Sequence, residues 1–124
     1  MENIQNAKIT QARMGFNEKG EFVLTLLLEG NGWGGVYGEW PLDAYDEELQ
    51  RRAGTEKGLT AVMELLKTLG AYELIGLSGI FVRCRGDFQP GGRITGVGHI
   101  LRDQWFDFEE YFGEEKDGEE RERE

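Results

Sequence analysis

The segment best suited to binding chemistry is GNGWGGVYGEW, residues 30–40, which holds five glycines in eleven positions. Trp33 offers a flat face on which a base can stack, and Gly34 and Gly35 let backbone amides approach a ligand closely. The pattern therefore indicates a nucleotide-like ligand. The alternative is a bulged strand whose aromatic residues fill the core. Because no GK[ST] follows and no parallel βαβ unit surrounds it, the segment is neither a P-loop nor a dinucleotide-binding fingerprint.

A second candidate site is cationic and lies where a helix is predicted to begin. Arg51, Arg52 and Lys57 flank this start, and a helix N-terminus with nearby cations suits a phosphate group. The alternative is that the two arginines pair with the acidic residues 46–48. The sequence leaves both interpretations open.

A third group of cationic and aromatic residues follows residue 80. Arg83 and Arg85 alternate with Cys84 in a predicted strand, where they are either a local positive patch or solvent-facing charge. The candidate ligand-binding residues of the next predicted strand and its end are Arg93, His99, Arg102 and Trp105.

Catalytic signals are weak throughout the chain. His99 is the only histidine and has no matching nucleophile pattern, and a lone strand histidine is more often packed or hydrogen-bonded than catalytic. Cys84 is more readily a buried structural thiol than a reactive one. The sequence contains no Cys/His cluster for zinc and no carboxylate pair at a distinctive spacing. We therefore expect a protein that is not an enzyme and needs no metal or cofactor.

The elements that position these residues predict an α+β fold. Two strands, Ile4 to Met14 and Phe22 to Glu29, form a first hairpin, and Ile80 to Arg85 pairs with Arg93 to Leu101 in a second. Between them, Thr55 is a predicted N-cap and Gly70 a C-cap of one amphipathic helix, with an apolar stripe at residues 59, 62, 63, 66 and 69. Residues 30–40 remain open between a glycine-rich binding segment and a bulged strand, and residues 43–52 are expected as a polar connection. The prediction is an antiparallel ββαββ domain over 1–112, with an aromatic segment at 105–112.

Within that segment order, Gly96 and Gly98 are two residues apart. Residues at this spacing share one face of a strand, so the pair is expected to clear a stretch of the sheet surface.

Charge and cysteine content limit the kinds of partner and the cell compartment that we expect for this chain. The net charge is −10, and residues 113–124 hold seven acids and three bases without an apolar residue, which predicts a disordered acidic tail. This acidity argues against duplex nucleic acid but allows an anionic ligand in a local cationic pocket. The polar N-terminus and the lack of a long apolar run predict no signal peptide and no membrane partner. A single cysteine fits a reducing cytoplasm, and a domain this small is expected to form a homo-oligomer.

Three motifs carry a resemblance to a known group: GWGG at 32–35, RAGTEKG at 52–58 and ITGVGHILRDQWF at 94–106. Together they resemble small phage and prophage counter-defence proteins, a group that includes the first-described anti-Thoeris sponges. The resemblance spans residues 4–112. It implies an oligomer in the bacterial cytoplasm that sequesters cyclic ADP-ribose isomers, and in some members cyclic di- or trinucleotides, without degrading them.

Arginines for pyrophosphate and aromatic residues for adenine are the chemistry that such a sponge requires. The alternative function is an acidic, anti-CRISPR-like inhibitor that occupies the basic nucleic-acid groove of a host nuclease. A phage structural or accessory protein without a small ligand is the third interpretation.

Overall fold

A computed structural model describes residues 3–113 of the chain. Its centre is a six-stranded antiparallel sheet with the strand order β3-β2-β1-β6-β7-β8, beside a separate β4–β5 hairpin. The predicted α+β class is therefore confirmed, whereas the ββαββ order is incomplete. The elements are β1 (Asn3–Phe16), β2 (Phe22–Gly30), β3 (Gly34–Pro41), β4 (Asp43–Asp46), β5 (Arg51–Gly54), α1 (Glu56–Leu69), a 3₁₀ helix (Leu74–Leu77), β6 (Phe81–Gly86), β7 (Ile94–His99) and β8 (Trp105–Phe106).

Both predicted hairpins are present. β1 pairs with β2 from Ala7↔Gly30 to Phe16↔Phe22, and β6 pairs with β7. The first turn is stabilised by Asn17, whose Oδ1 accepts the backbone N–H groups of Lys19 and Glu21 at 3.0 and 2.9 Å. The long β1 then joins the hairpins, because its other edge pairs with β6 from Asn3↔Gly86 to Lys8↔Phe81.

Two segments outside the five predicted ββαββ elements are strands. Residues 34–41 form the edge strand β3, because the glycines allow a bulge rather than prevent pairing. Gly38 has φ +113°, and a Cβ there would collide with the carbonyl oxygen of Leu24. The supposed connection at 43–52 contains β4 and the start of β5, paired from Asp43↔Gly54 to Asp46↔Arg51.

The helix α1 has the predicted ends but a different buried face. The Thr55 hydroxyl accepts the Gly58 N–H at 2.8 Å, and Gly70 has φ +76° as a left-handed C-cap. The buried positions are Gly58, Ala61, Val62, Leu65 and Leu69. Leu59 and Met63, which the predicted stripe included, are 65% and 48% exposed. The buried face is therefore rotated relative to the predicted stripe. The prediction missed Gly58 and Ala61 because such small residues carry no strong apolar signal, although both are buried.

One face of the sheet contains the core, and α1 covers it. The core face includes Val82, Cys84 and Val97, which pack in one cluster with Ala61 and Leu65 of the helix. Because side chains alternate along a strand, the residues between these positions on β6 and β7 lie on the opposite, open face.

The C-terminal aromatic segment closes one end of this core. Phe106 and Phe108 are 6% and 1% exposed, and residues 108–113 are helical. The hydroxyl of Tyr37 on β3 accepts the Phe108 N–H at 2.9 Å, which ties the glycine-rich strand to this segment. Burial raises the pKa of Tyr37 above its ordinary value.

Residues 114–124 of the predicted acidic tail lie outside the described residues. Within residues 3–113, none of the helices has the length and apolar character needed to cross a membrane.

Candidate functional site: an arginine–tryptophan cluster on the open face

Two arginines and a tryptophan meet on the open face of β6, β7 and β8. The strand register places Arg83 beside Gly98 and Arg85 beside Gly96, and Gly98 in turn lies beside Trp105. The guanidinium carbons of Arg83 and Arg85 are 4.8 and 5.1 Å from the centre of the Trp105 ring. Both distances are within cation–π range, so we call these three residues the Arg–Trp cluster.

The two glycines of β7 make room for this cluster, as their spacing predicted. A Cβ at Gly98 would lie 2.7 Å from Trp105 Cδ2, and one at Gly96 would lie 2.7 Å from Arg85 Nε. Both distances are shorter than side chains tolerate, so any larger residue would displace the cluster. The cleared surface is therefore filled by the protein's own Arg85 and Trp105.

Arg83 mainly positions the loop that leads to Trp105. Its Nε donates to the carbonyl oxygen of His99 at 2.9 Å, and its terminal nitrogen donates to that of Arg102 at 2.6 Å. His99 Nδ1 accepts the backbone N–H groups of Leu101 and Arg102, both at 3.0 Å. His99 and the Arg102 backbone thus hold the loop, while the Arg102 side chain is exposed.

Next to the cluster is an open cleft of about 410 Å³. Its lining residues are Arg85, Trp105, Phe106, Asp107, Glu110 and Tyr111. The guanidinium of Arg85 is 3.7 Å from the carboxylate of Asp107, a loose ion pair that a stronger anion could replace. The volume is within the range of small-molecule sites.

Lys57 lies beside Tyr111, which lines the cleft. Its ammonium group is 4.9 Å from the centre of the Tyr111 ring, and the Tyr111 hydroxyl donates to the Lys57 carbonyl oxygen at 3.1 Å. Lys57 lies in the first turn of α1, so the predicted helix-start cation and Trp105 belong to neighbouring surfaces.

The glycine-rich candidate site is elsewhere and already has its partners. The Trp33 indole N–H donates to Gln5 Oε1 at 2.8 Å, and its ring is 4.6 Å from that of Phe88. Gly34 and Gly35 lie in the β3 ladder opposite residues of β2. This arrangement matches the alternative that the sequence left open, a bulged strand whose aromatic residues pack on the core.

The remaining predicted cations are also separate from the cluster. Arg52 forms a two-pronged ion pair with Asp43 at 2.8 and 2.9 Å, so its partner is Asp43 and not the acidic run at 46–48. These hydrogen bonds lower the pKa of Asp43. Arg51 is exposed on β5, and Arg93 pairs with Glu109 at 2.7 Å.

The two candidate reactive groups, the Cys84 thiol and the His99 imidazole, both have structural roles. Burial raises the pKa of the Cys84 thiol from 9.0 to about 12, which keeps it protonated at neutral pH. The Nδ1 lone pair of His99 is engaged by two backbone amides. In the part of the chain that the structure describes, no three His, Cys, Asp or Glu side chains are grouped so that they could hold a metal ion.

Of the residues that line the cleft, Asp107, Glu110 and Tyr111 were not predicted as site residues, and Arg85 was left open as part of a positive patch or as solvent-facing charge. The sequence did contain a signal for Arg85. Arg83 and Arg85 are two residues apart on one predicted strand, and Gly96 and Gly98 have the same spacing on the next. Only the strand register shows that these pairs are neighbours. Comparison with protein families, with curated proteins and with solved structures found no match to this chain.

Proposed function

We propose that the chain is a non-catalytic binding protein that sequesters a small anionic nucleotide through the Arg–Trp cluster and its cleft. The observation that carries this proposal is the placement of Arg85 and Trp105 together on a glycine floor, in a chain of net charge −10. A guanidinium recognises phosphate oxygens with paired N–H groups, and an indole ring stacks on a base. The biological role we propose is that of a phage or prophage counter-defence protein, with cyclic ADP-ribose isomers and cyclic di- or trinucleotides as candidate ligands.

The polar groups of the cleft suggest how such a ligand is oriented. Phosphate would replace the Asp107 carboxylate at Arg85, because the existing ion pair is long at 3.7 Å. Asp107 and Glu110 could then accept hydrogen bonds from the hydroxyl groups of a ribose. Lys57, beside Tyr111, adds a second cation near the same cleft.

The surroundings of the Cys84 thiol and the His99 imidazole support binding without turnover. The Cys84 thiol is buried with a raised pKa, and His99 Nδ1 holds a loop. A protein that sequesters a signal needs affinity and stoichiometry rather than an activated nucleophile.

The test is ligand retention. The purified protein is mixed with a panel of cyclic ADP-ribose isomers and cyclic di- and trinucleotides, freed of unbound ligand by filtration, and heated so that bound compounds are released for mass analysis. Intact compound at near one equivalent per binding site supports the proposal. Degraded compound contradicts the non-catalytic part, and no retention of any compound favours the acidic inhibitor of a host nuclease.

Variants then locate the site. Arg85→Ala removes charge-assisted hydrogen bonds to phosphate and is expected to weaken binding roughly 10- to 100-fold. Asp107→Asn removes a competing carboxylate and is expected to preserve or tighten phosphate binding. Arg13→Ala is the matched control, because Arg13 is an exposed strand arginine opposite Thr25 on β2, away from β7 and β8. Equal binding by the Arg85 and Arg13 variants would contradict the assigned location.

A further inference from the structure

A groove lies at the C-terminal end of α1. It holds about 610 Å³. Apart from Asn6, its lining residues are of apolar type: Leu69, Gly70, Ala71, Gly76, Ile80, Phe81 and Ile100. Neither the Arg–Trp cluster nor its cleft contributes a residue to it.

Four exposed apolar side chains project around this groove. Tyr72 is fully exposed, and Ile75, Phe81 and Leu101 are 76%, 60% and 87% exposed. Phe81 lines the groove itself, and each of the others is the chain neighbour of a lining residue. We call the groove, together with these exposed side chains at or next to its lining residues, the groove face.

The area of the groove face is large for a surface that a monomer leaves in water. Four side chains of this size present on the order of 600 Å² of apolar surface, the upper end for the largest patch of a typical monomer. Two copies that met through this surface would together bury on the order of 1,200 Å², the lower end of the range for stable interfaces.

Charge decides which partner fits. The segments that build this face, residues 70–81 and 99–102, contain one acid, Glu73, and one base, Arg102. The rest of the chain carries the entire net charge of −10, so this is a surface on which two copies can meet without acidic repulsion.

We propose that the groove face is the contact between two copies of this chain, related by a two-fold axis. A two-fold interface uses the same surface on both copies, so it must be complementary to itself. The groove face meets this condition because it carries both a concave apolar groove and projecting apolar side chains. Tyr72 or Leu101 of one copy can enter the groove of the other. This inference concerns assembly and does not depend on the proposed ligand.

The interface would also lie beside the Arg–Trp cluster. Leu101 lies in the loop that leads to Trp105 on β8, and Arg83 holds this loop through the carbonyl oxygens of His99 and Arg102. Pairing of copies through Leu101 therefore brings the second copy next to the cluster and steadies the loop that leads to Trp105.

The test is the molar mass in solution, measured by light scattering after gel filtration at tens of micromolar protein. We expect an even-numbered oligomer for the natural sequence. Leu101→Glu and Tyr72→Glu should each lower the mass at least twofold, because each buries a charge in the contact. The control is Leu59→Glu, which makes the same change at a 65% exposed position of α1 outside the groove face.

All three positions are exposed, so the variants are expected to fold, and their thermal unfolding is recorded alongside. A monomeric natural protein overturns the inference, as does an odd-numbered oligomer. An oligomer that survives both Leu101→Glu and Tyr72→Glu, or one that only Leu59→Glu disrupts, overturns it equally.

Discussion

Replacing Gly98 by alanine tests whether the Arg–Trp cluster is packed as described. The added Cβ would lie 2.7 Å from Trp105 Cδ2 and 2.9 Å from the carbonyl oxygen of Gln104. Ordinary contact begins at 3.4 Å, so the indole ring must move by roughly 0.7 Å, the difference between 3.4 and 2.7 Å. Overpacking of this kind costs about 1–3 kcal/mol of unfolding free energy. Urea unfolding followed by circular dichroism measures this loss, and ligand retention is expected to fall with it.

Gly15→Ala is the matched control, because Gly15 also lies in a strand but a Cβ there meets nothing within 4 Å. Its unfolding free energy is expected to stay unchanged or to rise by up to about 1 kcal/mol, since alanine restricts the unfolded chain. A second comparison uses the Trp105→Ala background, in which the ring contact is gone. There the Gly98→Ala cost should shrink by at least about 0.5 kcal/mol, while the contact with the Gln104 carbonyl leaves a residual cost. Equal costs in both backgrounds, or a Gly98 variant as stable as the Gly15 variant, would refute the described packing.

Two further predictions concern ionisable groups that stabilise the fold. Tyr37→Phe leaves the buried Phe108 N–H without an acceptor and is expected to cost about 1–3 kcal/mol at pH 7. Because burial raises the Tyr37 pKa, its contribution is complete below pH 10 and is lost as the pH rises further, so the variant should show a shallower alkaline decline in urea titrations. Asp43→Asn should cost about 1 kcal/mol at pH 7 by weakening the ion pair with Arg52. The Asp43 pKa is lowered, so this stability is present above about pH 4 and is lost as the solution is acidified. A variant with the same acid-unfolding curve as the natural protein would contradict the assigned role of Asp43.

Local signals were sufficient for the helix and the hairpins. Thr55 and Gly70 cap α1 as predicted, because capping depends on the immediate backbone and on a few neighbouring residues. The first hairpin was predictable from the alternation in residues 22–29 and a turn containing Gly20. These features need no knowledge of the rest of the fold.

Features that depend on distant partners were left undecided by the sequence. Gly34 and Gly35 were compatible with a ligand-binding segment or a bulged strand, and pairing with β2 shows that they lie in a strand. For Arg52 the sequence left a phosphate ligand and the acids at 46–48 open as partners, whereas the β4–β5 hairpin brings Asp43 opposite it. Composition alone favours loops and local ion pairs in glycine-rich and charged segments. Whether such a segment forms a strand depends on pairing with a neighbouring strand.

The same dependence on register limits where the proposed ligand could lie at the Arg–Trp cluster. The spacing of Gly96 and Gly98 predicted a cleared surface, but only the pairing of β6, β7 and β8 shows that Arg85 and Trp105 fill it. A ligand therefore cannot lie on the glycine floor. It must instead use the outer surface of the ring and the guanidinium N–H groups that face the cleft, beside Asp107. Because that carboxylate already neutralises Arg85, affinity for an anion will depend on the competition between Asp107 and the ligand's phosphate. The ratio of binding by the Asp107→Asn and Arg85→Ala variants measures this competition directly.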